Sequence, residues 1–462
     1  MIATAPVGAR AQAAPPPADV LPAPQVDVGD DAAAPPSEPA APVGEATSPA
    51  PAERSAAGSA EPEPTEENET ARRVEILTEE VQRLRERLVL PETEENRSRF
   101  GLGPAASRVY GIERGLSIGG YGELHFQGIV SDRSEGETNV FDIPRVVLYA
   151  GYKFTPKILV NIELEFEHAK DAEVEFAYLD FLLHDAVAVR AGLVLLPVGL
   201  VNELHEPPFF NGNLRPLVER RLIPTTWREL GVGLVGEPIE GLDYRVYLVT
   251  GMRSTGFGPG GWAAGRQHAR QAIGNDVAVV GRLDYEVVPE LVVGASAYWG
   301  GADQGELTVN DGGEVSVDTA MFEAHARLRT RGFEMKALGA YGLVRNAAHV
   351  ALKLDPEGTA TIGSRLAGAY AEVSYDLVPL FAPDAPFSIS PWARVEWLDT
   401  ELEVPELSGR PDDSSQNVTA VAVGIAAKPH TNVVLKAEYL DQRNAAGARM
   451  ADSVFVGAGF IF

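Results

Sequence analysis

Cysteine is absent from this 462-residue chain, and no stretch approaches the ~18 consecutive apolar residues of a membrane-spanning helix. The first absence removes disulfide frameworks, thiolate metal centres and cysteine nucleophiles together. The second excludes a helical span but not a β-barrel, whose alternating strands keep mean hydropathy near zero. Positive charge is scarce too: 39 Lys and Arg stand against 66 Asp and Glu, the reverse of a nucleic-acid-binding footprint. Catalytic signatures are missing. The eight histidines lack His-Glu-x-x-His spacing, there is no Gly-x-Ser-x-Gly elbow, and carboxylates occur as ladders instead of isolated acid/base pairs. Gly231, Gly233 and Gly236 match a dinucleotide fingerprint but run into Pro238 instead of opening a helix. The expectation is a non-enzymatic chain with no catalytic, cofactor or metal site.

What is present falls into three regions. Residues 1–70 are Pro, Ala and Glu with almost no large apolar side chains, the composition of a disordered, extended tether. Within them, Ala11-Gln12-Ala13 before Ala14 reads either as the end of a signal-peptide remnant at 1–13 or as an Ala-rich start. Residues 71–91 change character: Val74, Leu77, Val81, Leu84 and Leu88 fall at a and d heptad positions, Thr70 can cap the start and Pro91 stops the run. A short coiled-coil helix fits this pattern, as does one amphipathic helix packed on its own domain. Fewer than three heptads are unstable alone, so a coiled coil here needs a larger assembly.

From about residue 115 the period is two. Sixteen strands are predicted, near 116–130, 140–154, 157–169, 173–184, 186–195, 228–237, 241–252, 276–287, 290–300, 319–330, 333–345, 364–377, 386–399, 417–428, 431–441 and 452–462. Tight joints such as Pro238-Ile239-Glu240-Gly241 and Val288-Pro289 alternate with mostly longer polar connections. That segregation is the pattern of an all-β, 16-stranded antiparallel transmembrane barrel occupying 110–462. An even strand count places both ends of the barrel domain in the periplasm.

The strand faces say what each side meets. In GLSIGGYGELHFQGIV, Glu123, His125 and Gln127 share one face while Leu124 and Phe126 share the other. Glu163, Glu165 and Glu167 alternate with Leu164 and Phe166, and Glu323, His325, Arg327 and Arg329 with Phe322 and Leu328. Apolar residues toward lipid and charged ones toward an aqueous lumen satisfy both solvents, which adds Arg145 and Arg245 to the expected pore lining. Tyr121, Tyr152, Tyr178, Tyr298, Trp299, Tyr370, Trp397 and Tyr439 are expected in interfacial girdles. The chain ends on Phe462, with Phe460 two residues before it, on a strand that would close the barrel against the first. A terminal Phe with this alternation resembles the signal read by the barrel-assembly machinery.

GGYGELHF (119–126), FDIPRVVLYAGYKFTPKILVNIELEFEH (141–168), AVRAGLVLLPVGLVNELHEPPFF (188–210), PTTWRELGVGLVGE (224–237) and the terminal Phe strand together resemble the phosphate-selective porin O/P family. The resemblance spans roughly 110–462 and implies a 16-stranded barrel, a homotrimer, and passive diffusion of small solutes or ions across the outer membrane of a Gram-negative bacterium. Phosphate-selecting members line the pore with Arg and Lys, where this chain has Glu163, Glu165 and Glu167. The stretch between the fifth and sixth strands is too long for a simple connector. It is the third external loop, which in trimeric porins folds inward. Arg215, Arg220, Arg221 and Arg228 cluster there with Glu203, Glu206, Glu219 and Glu229, so opposed charges across a constriction are expected to sort solutes. The alternatives are a non-conducting barrel serving as envelope anchor or adhesion scaffold, its long loops plugging the lumen, and a secreted soluble β-sandwich or glycan-active enzyme.

Overall fold

The computed structural model describes Arg72 and residues 98–462, apart from 135, 308–314, 357, 359–360 and 406–413. The expected tether (1–70) and heptad helix (71–91) lie outside the described residues, except for Arg72, which is helical.

Among the described residues the chain forms sixteen strands. The first eight are β1 (Gly115–Ser131), β2 (Val140–Thr155), β3 (Ile158–Glu167), β4 (Asp171–His184), β5 (Val187–Leu195), β6 (Arg228–Ile239), β7 (Leu242–Thr250) and β8 (Val277–Val288). The rest are β9 (Leu291–Gly301), β10 (Asp318–Thr330), β11 (Phe333–Val344), β12 (Arg365–Tyr375), β13 (Ser388–Glu403), β14 (Asn417–His430), β15 (Val433–Asn444) and β16 (Asp452–Ile461). Each pairs antiparallel with its neighbours in sequence, and β1 pairs with β16, closing a barrel without free edges. At the seam the Phe462 amide donates to Gly120 O and the Gly120 amide to Phe462 O, both at 2.9 Å.

One end of the barrel carries the short turns and the other most of the long connections. Two joints depart from that segregation: β3–β4 turns within 168–170 at the loop end, and β12–β13 is joined by 376–387 at the turn end. No described helix is long and apolar enough to cross a membrane. The strands do so instead, because their outward residues are apolar and exposed: Leu116, Ile118, Leu148, Leu234, Val279 and Ile425 among many. Outward aromatics stand near both ends, Tyr152, Phe154, Phe181 and Tyr285 toward the turns and Phe141, Trp299, Trp397 and Tyr439 toward the loops.

The girdle expectation needs correction for four residues. Tyr121, Tyr178, Tyr298 and Tyr370 point inward and are buried. They share parity with Glu123, Asp180, Ser296 and Glu372, so the pleat turns them to the lumen.

The interior is packed. Helix α1 (Pro104–Gly111) lies inside the barrel against β1, β2 and β3, and residues 196–227, which include the short α2 (Val218–Arg221), fold inward between β5 and β6. A third helix, α3 (Ala347–Leu354), belongs to the β11–β12 connection.

Candidate functional site

The inward loop is fastened to the barrel wall on all sides. Glu203 accepts from Arg245 Nη1 of β7 (2.8 Å), and Gly199 O accepts from Arg282 of β8. His205 faces Glu163 of β3 and Glu175 of β4. Lys336 Nζ of β11 donates to Phe209 O (3.3 Å), and Lys436 Nζ of β15 donates to Gly212 O (2.8 Å). The Asn213 amide donates to Glu438 of β15 (2.6 Å), the Leu217 amide to Glu396 of β13, and Tyr370 Oη of β12 to Glu219 (2.6 Å). Loop backbone groups thus find partners in charged wall side chains, which a segment crossing a lumen requires. Two wall glycines permit the close approach: a Cβ on Gly459 would lie 2.3 Å from Pro207 Cβ, and one on Gly457 2.2 Å from Asn213 Oδ1.

Glu206 is held differently. Its carboxylate accepts from the Ala106 amide (3.1 Å) in the first turn of α1, where the helix dipole favours negative charge. Burial nonetheless pushes its pKa up to about 7. Helix α1 is fixed to the wall by Asn161 Nδ2 donating to Ala106 O (2.9 Å) and Lys153 Nζ donating to Tyr110 O (3.0 Å). The inward loop and α1 therefore fill the lumen as one packed body.

These contacts change the reading of the loop charges. The loop's basic and acidic groups do not face one another across a single constriction; the structure disperses them. Glu203, Glu206 and Glu219 are buried in separate anchoring contacts, and Glu229 accepts from Thr250 Oγ1 (2.7 Å) on the neighbouring strand. Arg228 pairs with Glu173 of β4, and Arg215 donates to Thr225 within the loop. Arg221 Nη2 donates to Gln416 (2.6 Å), and Arg220 is half-buried near Glu396 and Arg394. Burial lowers the pKa of both Arg215 and Arg220.

The expected pore lining also divides. Glu123, His125, Arg145 and Glu167 are half-buried, Arg327 is half-buried at the turn end, and Arg329 is exposed there. Glu163, Glu165, Arg245 and Glu323 point inward as the alternation predicts but are buried, Arg245 alone touching the cavity at the turn end. The loop and α1 cover them.

Sequence reasoning missed α1 and most of the wall groups that receive the loop: Glu372, Arg394, Glu396, Lys436 and Glu438. Their inward parity on β12, β13 and β15 was readable. It also missed Glu175, for which a signal existed. Polar residues of β4 keep odd numbers through Glu173 and Glu175, then switch to even at Asp180. The switch is a β-bulge: Glu163 pairs with Phe176 and Leu164 with Val174, leaving Glu175 as the extra residue, turned inward.

Most wall arginines are paired. Arg145 Nε stands 2.9 Å from Glu123, Arg190 Nε 2.9 Å from Asp180, Arg282 Nε 2.7 Å from Asp284, and Arg394 2.8 Å from Glu396 and 3.0 Å from Glu372. Two cavities open at the turn end. One of about 690 Å3 reaches Asp243, Arg245, Asp284 and Arg327; the other, about 300 Å3, reaches Arg329, Glu334, Asp376 and Lys428.

A protein of Aquifex aeolicus (strain VF5), described as an uncharacterized protein, is 35% identical over 377 residues, covering 78% of this chain and 82% of that one. The chain belongs to that protein's family. No family model matches the chain. Among solved structures, OprB of Pseudomonas putida superposes with a TM-score of 0.52 at 7% identity, over 75% of this chain and 94% of the other. That likeness is one of fold. An anion-selective porin from Comamonas acidovorans has a TM-score of 0.49 at 10% identity, over 76% of this chain and all of that one.

Proposed function

We propose that the chain is an outer-membrane porin through which small hydrophilic solutes or ions diffuse passively, with residues 196–227 as the element that limits the flow. The observation that carries this reading is a closed, lipid-compatible barrel whose charged interior is crossed by its third external loop. Solutes enter at the loop end past Glu123, His125, Gln127 and Arg145, and leave through the vestibule at Asp243, Asp284 and Arg327. Because most wall arginines are matched by carboxylates, we infer weak charge selectivity and no phosphate preference. The outer wall and the heptads at 71–91 support assembly as a homotrimer with the N-terminal segment in the periplasm, Phe460 and Phe462 serving the barrel-assembly machinery.

A second reading, a non-conducting barrel acting as an envelope scaffold, is favoured by the burial of Glu163, Asp180 and Arg190 inside the lumen. Single-channel recording in planar bilayers under a salt gradient separates the two. Small discrete steps with a reversal potential near zero support the porin. Silence from inserted wild-type barrels, with steps appearing only after 203–216 is replaced by a short glycine-serine linker, supports the plugged scaffold.

A further inference from the structure

The bulge in β4 brings Glu175 beside Glu163, and the inward loop delivers His205 to both. His205 Nε2 lies 3.2 Å from Glu163 Oε1 and 3.4 Å from Glu175 Oε2, and the three ligand atoms fall within 4.8 Å of one another. All three residues are buried, the two carboxylates completely. Their surroundings are aromatic: the Tyr121 ring packs edge-on to His205 at 5.7 Å, and Tyr149 stacks on Phe176.

Proton placement makes this arrangement informative. His205 Nδ1 lies 3.0 Å from Asn202 O. A backbone carbonyl only accepts, so Nδ1 carries the proton, and in the neutral ring Nε2 presents its lone pair to two carboxylates. Three electron-rich groups then converge on one point with water excluded, which is unfavourable unless a cation or a proton shared by the carboxylates lies between them. Glu163 Oε2 and both oxygens of Glu175 have no hydrogen-bond partner. The nearest guanidiniums stand aside: Arg228 Nη1 is 3.7 Å from Glu175 Oε1, and Arg145 Nη1 is 3.6 Å from Glu165.

The spacing suits a metal ion. Bonds of about 2.1 Å to nitrogen and oxygen give ligand–ligand edges of about 3.0 Å in an octahedron and about 3.4 Å in a tetrahedron, which brackets the two distances observed. A histidine whose second nitrogen donates to a backbone carbonyl is the usual orientation of a metal-bound imidazole. A mixed imidazole and carboxylate donor set suits zinc, cobalt or manganese better than the all-oxygen preference of calcium.

We infer that Glu163, Glu175 and His205 bind one divalent transition-metal cation, which clasps the inward loop to the barrel wall. The three protein ligands leave at least one position for water. Two ligands come from the wall and one from the loop, so the cation joins His205 to residues 30 and 42 positions earlier in sequence.

The rival arrangement is a proton on Nε2, giving an imidazolium paired with the carboxylates and no metal. Cobalt distinguishes them. The full chain is refolded in detergent with chelator, checked for heat-modifiable gel migration, and titrated with CoCl2 while the visible d–d absorption is followed. Bound metal is then counted by elemental analysis after desalting. The expected result is one cobalt per chain, displaced by Zn2+, with affinity at least about tenfold weaker in Glu163→Gln and His205→Gln. Folded wild-type barrel that retains no stoichiometric cobalt overturns the inference on its own. So does retention that survives unchanged in both folded variants.

Discussion

Tyr110 of α1 donates its hydroxyl to Asp180 Oδ2 at 2.6 Å, while Arg190 holds both oxygens of the same carboxylate at 2.9 Å. Arg190 Nη2 also donates to Tyr110 Oη (2.7 Å), and its guanidinium lies 4.0 Å from the Tyr178 ring centroid. The helix that plugs the turn end is thereby bonded into a fully buried ion pair on β4 and β5. Tyr110→Phe removes hydrogen bonds to charged partners, and the expected loss is about 1.5–3 kcal/mol. Asp180→Asn leaves a buried guanidinium unpaired, with an expected loss of about 3–5 kcal/mol. Urea unfolding in detergent measures both, and the segment 98–112 should become protease-sensitive before the barrel unfolds. An unchanged midpoint in Asp180→Asn would show that water already reaches the pair.

Arg394 is the corresponding hub on the opposite wall. It serves Glu372 and Glu396 and stands 3.7 Å from Glu438, and Glu396 and Glu438 in turn accept loop amides. Arg394→Met leaves Glu396 and Glu438 without their paired cation and Glu372 with Lys336 alone. The expected cost is again about 3–5 kcal/mol, together with larger single-channel steps as the loop loses its seat. Reduced stability with unchanged conductance would separate the hub from the flow path.

Arg220 and Arg221 are half-buried neighbours at the end of α2. Replacing both with glutamine is expected to move the reversal potential toward cation preference by a few millivolts to tens of millivolts, as partial removal of a fixed positive field does. An unchanged reversal potential would remove them from the route of the ions.

Among the external connections, Asp303 offers a pH signature. Partial burial and the neighbouring Asp276 carboxyl push its pKa up to about 6, against stabilising donation from Gly305 N–H. The folded loop therefore holds a proton that the unfolded chain has released between about pH 4 and pH 6. Its contribution to stability is present below that window and is lost as pH rises through it. Asp303→Asn, which mimics the protonated acid, should match wild type at pH 4 and exceed it in urea midpoint at pH 7. Parallel curves at the two pH values would show that Asp303 is ionised throughout.

The architecture was legible because one physical rule dominates it. Lipid outside and polar groups inside impose alternation on every strand, so β6, expected at 228–237, runs from Arg228 to Ile239, and the Phe462 strand closes on β1 as anticipated. What fills the barrel was harder to read. An inward parity says that Glu163 or Arg245 faces the lumen, not whether water or another segment meets it there. The same limit applies to Tyr121 and Tyr178, whose parity with neighbouring charges placed them inside although their chemistry suggested an interface. Helix α1 escaped because eight residues opening on Pro104 carry little periodicity of their own. The bulge at Glu175 was visible as a phase change along β4, but only a reading that tracked parity residue by residue would have caught it.

The seat of the inward loop has a temporal consequence. Pro207 rests against Gly459 and Asn213 against Glu438, so part of its support lies on β15 and β16, the last strands to be made. Until those strands arrive, the nascent sheet offers the loop only part of its berth, and β1 waits for the same strands to find its second neighbour. Sealing of the wall and filling of the interior are thus coupled through contacts of very long sequence separation, which makes them slow and late. Closing the wall and seating the loop draw on the same two strands.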